Sequence, residues 1–194
     1  MKSLGRNVSA NNDITVVTGL PRSGKSTLLK NKLIPEYLKR GKVVLAVDIN
    51  HEYTPAKNFY LFDIEDYANA EMEIEGLIGE IIDGTLKVDC IVFDESNTLF
   101  NKTYLQPNAR RLVNTLRHLK IDIIAVARRP VDINITISEL ATKRYVFHAS
   151  GVNDIKRLNE LKAGLGDRAY ALGEHDYIFV DNDRREVLHK AKEA

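Results

Sequence analysis

The run Gly19-Leu20-Pro21-Arg22-Ser23-Gly24-Lys25-Ser26-Thr27 has the form G-x-x-x-x-G-K-[ST], the pattern of a loop that cradles phosphate. Its glycines let the backbone turn tightly with N–H groups facing inward. Lys25 is placed to reach β- and γ-phosphates, and Ser26 to offer its hydroxyl to Mg²⁺. A second acidic element, Asp94-Glu95, ends the apolar run Cys90-Ile91-Val92-Phe93 in the Walker B pattern. Asp94 suits Mg²⁺, which takes oxygen ligands and keeps several waters. Glu95, one step on, can polarise a water against a γ-phosphate. Arg128 and Arg129 close a third apolar run, where an arginine either neutralises charge on a transferring phosphate or anchors a carboxylate. At least one of the two is read as functional.

Weaker candidates surround these groups. Asp48 and Glu52 follow the run Lys42 to Val47, at what would be the ligand end of an open α/β sheet; they face the nucleotide, the next subunit or only solvent. Ser96 and Asn97 either sense the γ-phosphate or substrate, or cap a helix. Arg110, Arg111 and Arg117 lie on a helix after the acidic pair, where they form a solvated face or meet a neighbour's nucleotide or DNA.

These residues need strands and helices to hold them. Ile14 to Thr18 reads as a buried strand leading into the loop, and Leu28 to Leu33 as the helix leaving it. In that helix Leu29, Leu33 and Tyr37 share one face, Pro35 is expected to kink or interrupt it, and Gly41 to stop it. Further strands are expected at 42–47, 90–93, 121–127 and 142–147, with residues 54–64 irregular. Helices are expected over 66–82, 107–119 and 151–161, with a short helix or loop at 132–140. Glu71, Glu73 and Glu75 are expected on a solvated face of the first of these. Residues 176–188 read as a hairpin turning near Asn182-Asp183. Residues 1–12, rich in Ser and Asn, are expected to be a flexible arm and 13–194 a single domain.

The bulk composition narrows the classes. At 194 residues and a net charge of +1, the chain is not a strongly basic nucleic-acid binder, so DNA contact would need a local patch or several subunits. Its single cysteine, Cys90, excludes a disulfide framework and fits a small core residue. No apolar stretch of membrane-spanning length occurs, and the amino end lacks the apolar segment of a signal peptide.

Together the motifs resemble the FtsK–HerA superfamily of P-loop ATPases, and more narrowly the genome-packaging ATPases of tailless, membrane-containing icosahedral viruses. The resemblance rests on Gly19 to Thr27, on Val47-Asp48-Ile49-Asn50-His51-Glu52-Tyr53, on Phe93-Asp94-Glu95 and on Ala127-Arg128-Arg129-Pro130. It implies a three-layer α/β P-loop NTPase with a mainly parallel sheet of the additional-strand, catalytic-glutamate type and a C-terminal β-hairpin. The strand ending at Ala127 would lie between the phosphate-loop strand and the Walker B strand. It also implies ATP and Mg²⁺ as ligands, Lys25, Glu95, Arg128 and Arg129 as catalytic residues, and Ser26 and Asp94 at the metal. The partners implied are double-stranded DNA, further copies of the chain in a ring, and capsid or membrane portal proteins, in the cytoplasm of an infected cell or in the virion. Relatives often carry a glutamine sensor where Arg128 stands, which leaves an arginine acting across subunits open among Arg128, Arg129, Arg110 and Arg111. Lys57, Lys102, Lys143 and Arg144 are candidates for DNA contact or simple surface charge. The competing functions are a nucleoside-kinase-like phosphotransferase, a phage secretion ATPase of the zonula-occludens-toxin type, and a nucleotide switch with weak hydrolysis.

Overall fold

The computed structural model describes residues 12–183 and 185–191. The arm expected over 1–12 falls, apart from Asn12, on residues outside that range. One eight-stranded sheet organises the rest, in the order β3-β2-β4-β5-β1-β6-β7-β8. Six strands run parallel: β1 (Ile14–Thr18), β2 (Val44–Val47), β3 (Phe59–Phe62), β4 (Cys90–Phe93), β5 (Asp122–Ala127) and β6 (Lys143–Phe147). The hairpin strands β7 (Tyr177–Val180) and β8 (Glu186–His189) continue the sheet antiparallel. β5 pairs with both β1 and β4, so the inserted strand stands where the resemblance puts it.

The central strands read ITVVT, VLAV and CIVF and are buried throughout, because helices cover both sheet faces. On one face lies a helical rod made of α1 (Lys25–Leu28), a π-helical segment Leu29–Leu33 and α2 (Ile34–Leu38). Leu29, Leu33 and Ile34 pack on Val17, Val92 and Val126. Pro35 neither ends nor breaks this rod. It has no N–H to give, and the preceding turn widens so that Ile34 N–H reaches Leu29 O. Gly41, at φ 72°, closes the rod as expected.

The opposite face carries α3 (Ala70–Asp83), α4 (Ser96–Leu99), α5 (Pro107–Leu119) and α6 (Ile135–Leu140). Ile74, Ile78, Leu112 and Leu116 are buried against it. Beside them α7 (Val152–Leu161) and α8 (Leu165–Tyr170) cover Val146, Ile178 and Val180. The layers are therefore helix, sheet, helix.

Two further expectations need correction, and one helix was not foreseen. Residues 59–62, expected to be irregular, form the edge strand β3, paired in register with β2 from Val44↔Phe59 to Val47↔Phe62. Residues 165–170, unassigned in the sequence, form α8. The acids of α3 do not simply face solvent. Glu75 accepts from the N–H groups of Asn108 (2.9 Å) and Ala109 (2.7 Å), which satisfies the exposed donors at the start of α5. Glu73 does the same for Glu65 and Asp66, and Glu71 accepts from Gln106.

Candidate active site

β1 delivers the chain at Thr18 into the glycine loop at the carboxyl edge of the sheet, where ligands bind in open α/β folds. At Gly19 a Cβ would stand 2.4 Å from Cβ of Phe147, so no side chain fits between the loop and β6. Gly24 has φ 100°, a left-handed conformation that lets the loop enter the rod without strain. Lys25 is only 9% exposed. Its ammonium donates to Gly19 O (2.8 Å) and Leu20 O (2.9 Å), tying the loop into a ring. Burial holds its pKa below the ordinary lysine range, while Glu95 and Asp94 act in the opposite sense. Ser23 Oγ is buried in the loop with no hydrogen-bond partner among the described residues.

β4 ends at Phe93 and presents Asp94 beside this loop. Asp94 is 5% exposed. Its Oδ2 accepts from Tyr53 Oη at 2.9 Å and its Oδ1 from Glu95 N–H at 3.1 Å. Burial pushes its carboxyl up to about 6, against the Tyr53 bond, which pulls it down. Glu95 has φ 56° and ψ 47°, unusual for a non-glycine residue, and this turns the chain abruptly from β4 into α4. Its side chain lies at the rim, 14% exposed, with Oε1 3.0 Å from Arg128 Nε.

The two arginines after β5 part ways. Arg128 is 56% exposed and pairs with Glu95. Arg129 Nε donates at 3.0 Å to Oδ2 of Asp154, a buried carboxylate of α7 that also accepts from Val131 N–H. That contact ties α7 to the end of β5. Charges on Glu95, Asp94, Arg128 and Glu52 all act on Lys25, so one small region unites the loop lysine, both acids and the first arginine.

Among the weaker candidates, Asp48 is 1% exposed, and its carboxylate accepts from Glu52 N–H (2.9 Å) and Tyr53 N–H (2.8 Å). It shapes its own loop. Glu52 pairs loosely with Lys30 at 3.6 Å. Among the described residues Ser96 Oγ, which is buried, has no hydrogen-bond partner and no side chain caps α4; Asn97 is exposed. Arg110 sits 5.3 Å from the Tyr104 ring centroid, and Arg111 and Arg117 are exposed. At the far, amino end of β6, Lys143 pairs with Asp13 and Arg144 donates to Ser138 O, so that end of the sheet is engaged internally. Lys57 and Lys102 are exposed.

Two features were not singled out in the sequence. Tyr53 touches Asp94 from a loop 41 positions earlier, and only its place in the Asp48–Tyr53 stretch pointed toward the site. On the other side of the loop, a cleft of about 490 Å³ is lined by Gly24, Thr27, Asn31, Phe147, His175 and Tyr177, among others. His175 has φ 63°, and its Nδ1 would lie 3.4 Å from a Cβ built on Gly24.

The residues present suit a magnesium triphosphate. The donors are hard oxygens, from the Ser26 hydroxyl and the Asp94 carboxylate, beside a lysine whose ammonium donates to loop carbonyls. Among the described residues no group of three or more His, Cys, Asp or Glu could hold a metal ion. Mg²⁺ keeps several waters and shares phosphate oxygens, so one hydroxyl and one carboxylate suffice as its protein ligands.

Solved structures share this fold. The genome packaging NTPase B204 from Sulfolobus turreted icosahedral virus 2, in complex with ATP-gammaS, matches with a TM-score of 0.81 and 20% identity, over 92% of this chain and 97% of that one. VirB4 of Thermoanaerobacter pseudethanolicus matches at 0.67 and 11% identity, over 95% and 90% of the two chains. The N-terminal domain of zonular occludens toxin from Neisseria meningitidis matches at 0.54 and 15%, over 92% and 94%. At these identities the likeness is one of fold. No family model matches the sequence, and neither does any curated protein. The three-layer P-loop architecture expected from the motifs, resembling that of viral packaging ATPases, is the architecture found.

Proposed function

We propose that this chain is a Mg²⁺-dependent ATPase that works as a ring of subunits to drive viral double-stranded DNA into a preformed capsid. One observation carries the proposal. The glycine loop with Lys25, the acids Asp94 and Glu95, and Arg128 meet at the carboxyl ends of the adjacent strands β1, β5 and β4. The fold shared with B204, a genome packaging NTPase solved with ATP-gammaS, supports it.

Phosphates lie on the loop with the γ-end toward Asp94 and Glu95. The nucleoside end then points the other way, into the cleft beside Asn31, His175 and Tyr177. Lys25 leaves the loop carbonyls for the β- and γ-phosphate oxygens and stabilises charge there. Ser26 and Asp94 would hold Mg²⁺, which when bound would supply neutralisation of the phosphate charge. Glu95 orients a water in line with the γ-phosphorus and accepts its proton as the bond to ADP breaks. Arg128 holds that carboxylate aimed, its Nε 3.0 Å from Oε1. It is exposed enough to be displaced by the phosphate or by a neighbouring subunit. Arg129 belongs to the frame through Asp154, so Arg110 and Arg111 at the start of α5 are the arginines proposed to act across a subunit boundary. DNA contact comes from a few basic residues per subunit, Lys57 and Lys102 among them, summed around the ring. Capsid or portal proteins are the proposed docking partners, within the infected cell. Among the described residues no helix is long and apolar enough to cross a membrane.

The test is the ATPase rate per subunit against protein concentration, with and without double-stranded DNA. The proposal expects a rate that climbs with association and again with DNA. A rate indifferent to both would overturn the motor. Transfer of phosphate to a nucleoside in place of water would replace it with a kinase.

A further inference from the structure

β2 and β4 are neighbours in register, Val47 opposite Phe93, so the next residues, Asp48 and Asp94, stand side by side at the strand ends. The two acids are buried alike but used differently. Asp48 spends its carboxylate on two backbone N–H groups, Glu52 and Tyr53. Those bonds fold residues 49–53 back over the strand end and place the Tyr53 ring inside. Tyr53 is 8% exposed; its ring packs edge-on against Phe59 (centroids 6.0 Å apart) and has Lys30 Nζ 5.3 Å from its centre. From this pocket the hydroxyl reaches Asp94 Oδ2 at 2.9 Å.

A carboxylate offers about four lone-pair sites. Asp94 gives one to Tyr53 and one to the N–H of Glu95, which fixes its plane and leaves the others open. Without the hydroxyl, Oδ2 would lose the one side-chain donor that holds it. We propose that Tyr53 is a positioning residue for the Asp94 carboxylate, setting how well the site takes Mg²⁺ with its nucleotide. Asp48 acts one step further out, by holding Tyr53. The inference rests on the assignment of Asp94 to the metal.

Tyr53→Phe tests it, since the ring and its contacts with Phe59 and Lys30 remain and a single hydroxyl goes. The readout is binding of a fluorescent ATP analogue, titrated with Mg²⁺ or held in EDTA, beside the melting temperature. The metal-free affinity should match the wild type, while the Mg²⁺ concentration needed for half of the metal-dependent binding should rise about 10- to 100-fold, the usual cost of losing a group that orients a metal ligand. Equal Mg²⁺ dependence in both proteins would overturn the proposal and leave Tyr53 as packing. If Tyr53→Phe does not fold, Asp48→Asn reads the same dependence: a rise supports the proposal and no change overturns it. Wild-type protein that binds ATP with no response to Mg²⁺ would sink the assignment of Asp94 itself, and the proposal with it.

Discussion

Asp94→Asn should make the metal-free protein more stable, although it removes a residue proposed as essential. The Asp94 carboxyl titrates near 6 because burial penalises its charge. At 5% exposure, solvent screens little of that penalty. A displacement from the ordinary aspartate range to about 6 corresponds to roughly 3 kcal/mol of lost stability once the group is ionised. The sign follows from the direction. The folded pKa lies above the unfolded one, so this contribution is fully present below about pH 4 and is lost as pH rises through about 6. Asparagine carries no charge to desolvate. It can accept from only one of Tyr53 Oη and Glu95 N–H, which returns about 1 kcal/mol. At pH 8 the variant should therefore gain about 1–2 kcal/mol, or roughly 2–8 °C in melting temperature for a chain of this size. The assay is thermal and urea unfolding in EDTA at pH 4.5 and pH 8. The gain should be large at pH 8 and nearly gone at pH 4.5. A variant less stable than wild type at pH 8, or a gap equal at both pH values, would refute the reasoning.

Other perturbations separate neighbouring roles. Arg129→Ala leaves the buried Asp154 carboxylate with the Val131 N–H as its remaining donor among the described residues, and should lower the melting temperature while ATP affinity holds. Arg128→Ala should do the reverse, with unfolding nearly unchanged and steady-state ATP turnover falling at least tenfold. His175→Ala should weaken binding of ATP but not of inorganic tripolyphosphate, measured by calorimetry, because the proposed pose puts the nucleoside and not the phosphates in that cleft.

Local demands on the backbone were legible in the sequence. Gly24 is needed where it stands by a left-handed turn set within a few residues, whereas Gly19 is needed by a close approach to Phe147 on the distant strand β6, which the loop motif marks without naming the partner. The strands β2 and β4 announced themselves as apolar runs, and β1 and β5 as β-branched or largely apolar ones, since both their faces are covered. β3 did not, being four residues long at a sheet edge with three of them partly exposed. Pro35 pointed to a break because its missing donor is a local fact, whereas the widened turn that absorbs it depends on the whole rod packing on the sheet. The least legible contacts join distant positions. Glu75 looked like a solvated acid until α5 arrived beside it, Arg129 found Asp154 on α7, and Tyr53 found Asp94. In each case the partner is chosen by the order of strands and helices, which spacing along the chain does not state.

The central claim is that ATP bound on the glycine loop is hydrolysed by a water that Glu95 positions. Glu95→Gln keeps the side chain's shape and removes its charge, so parallel measurement of ATP affinity and single-turnover hydrolysis tests it most directly. Binding should stay within a few-fold of wild type while hydrolysis falls by about 10²–10⁴. Hydrolysis persisting near the wild-type rate, with ATP still bound, would contradict the account.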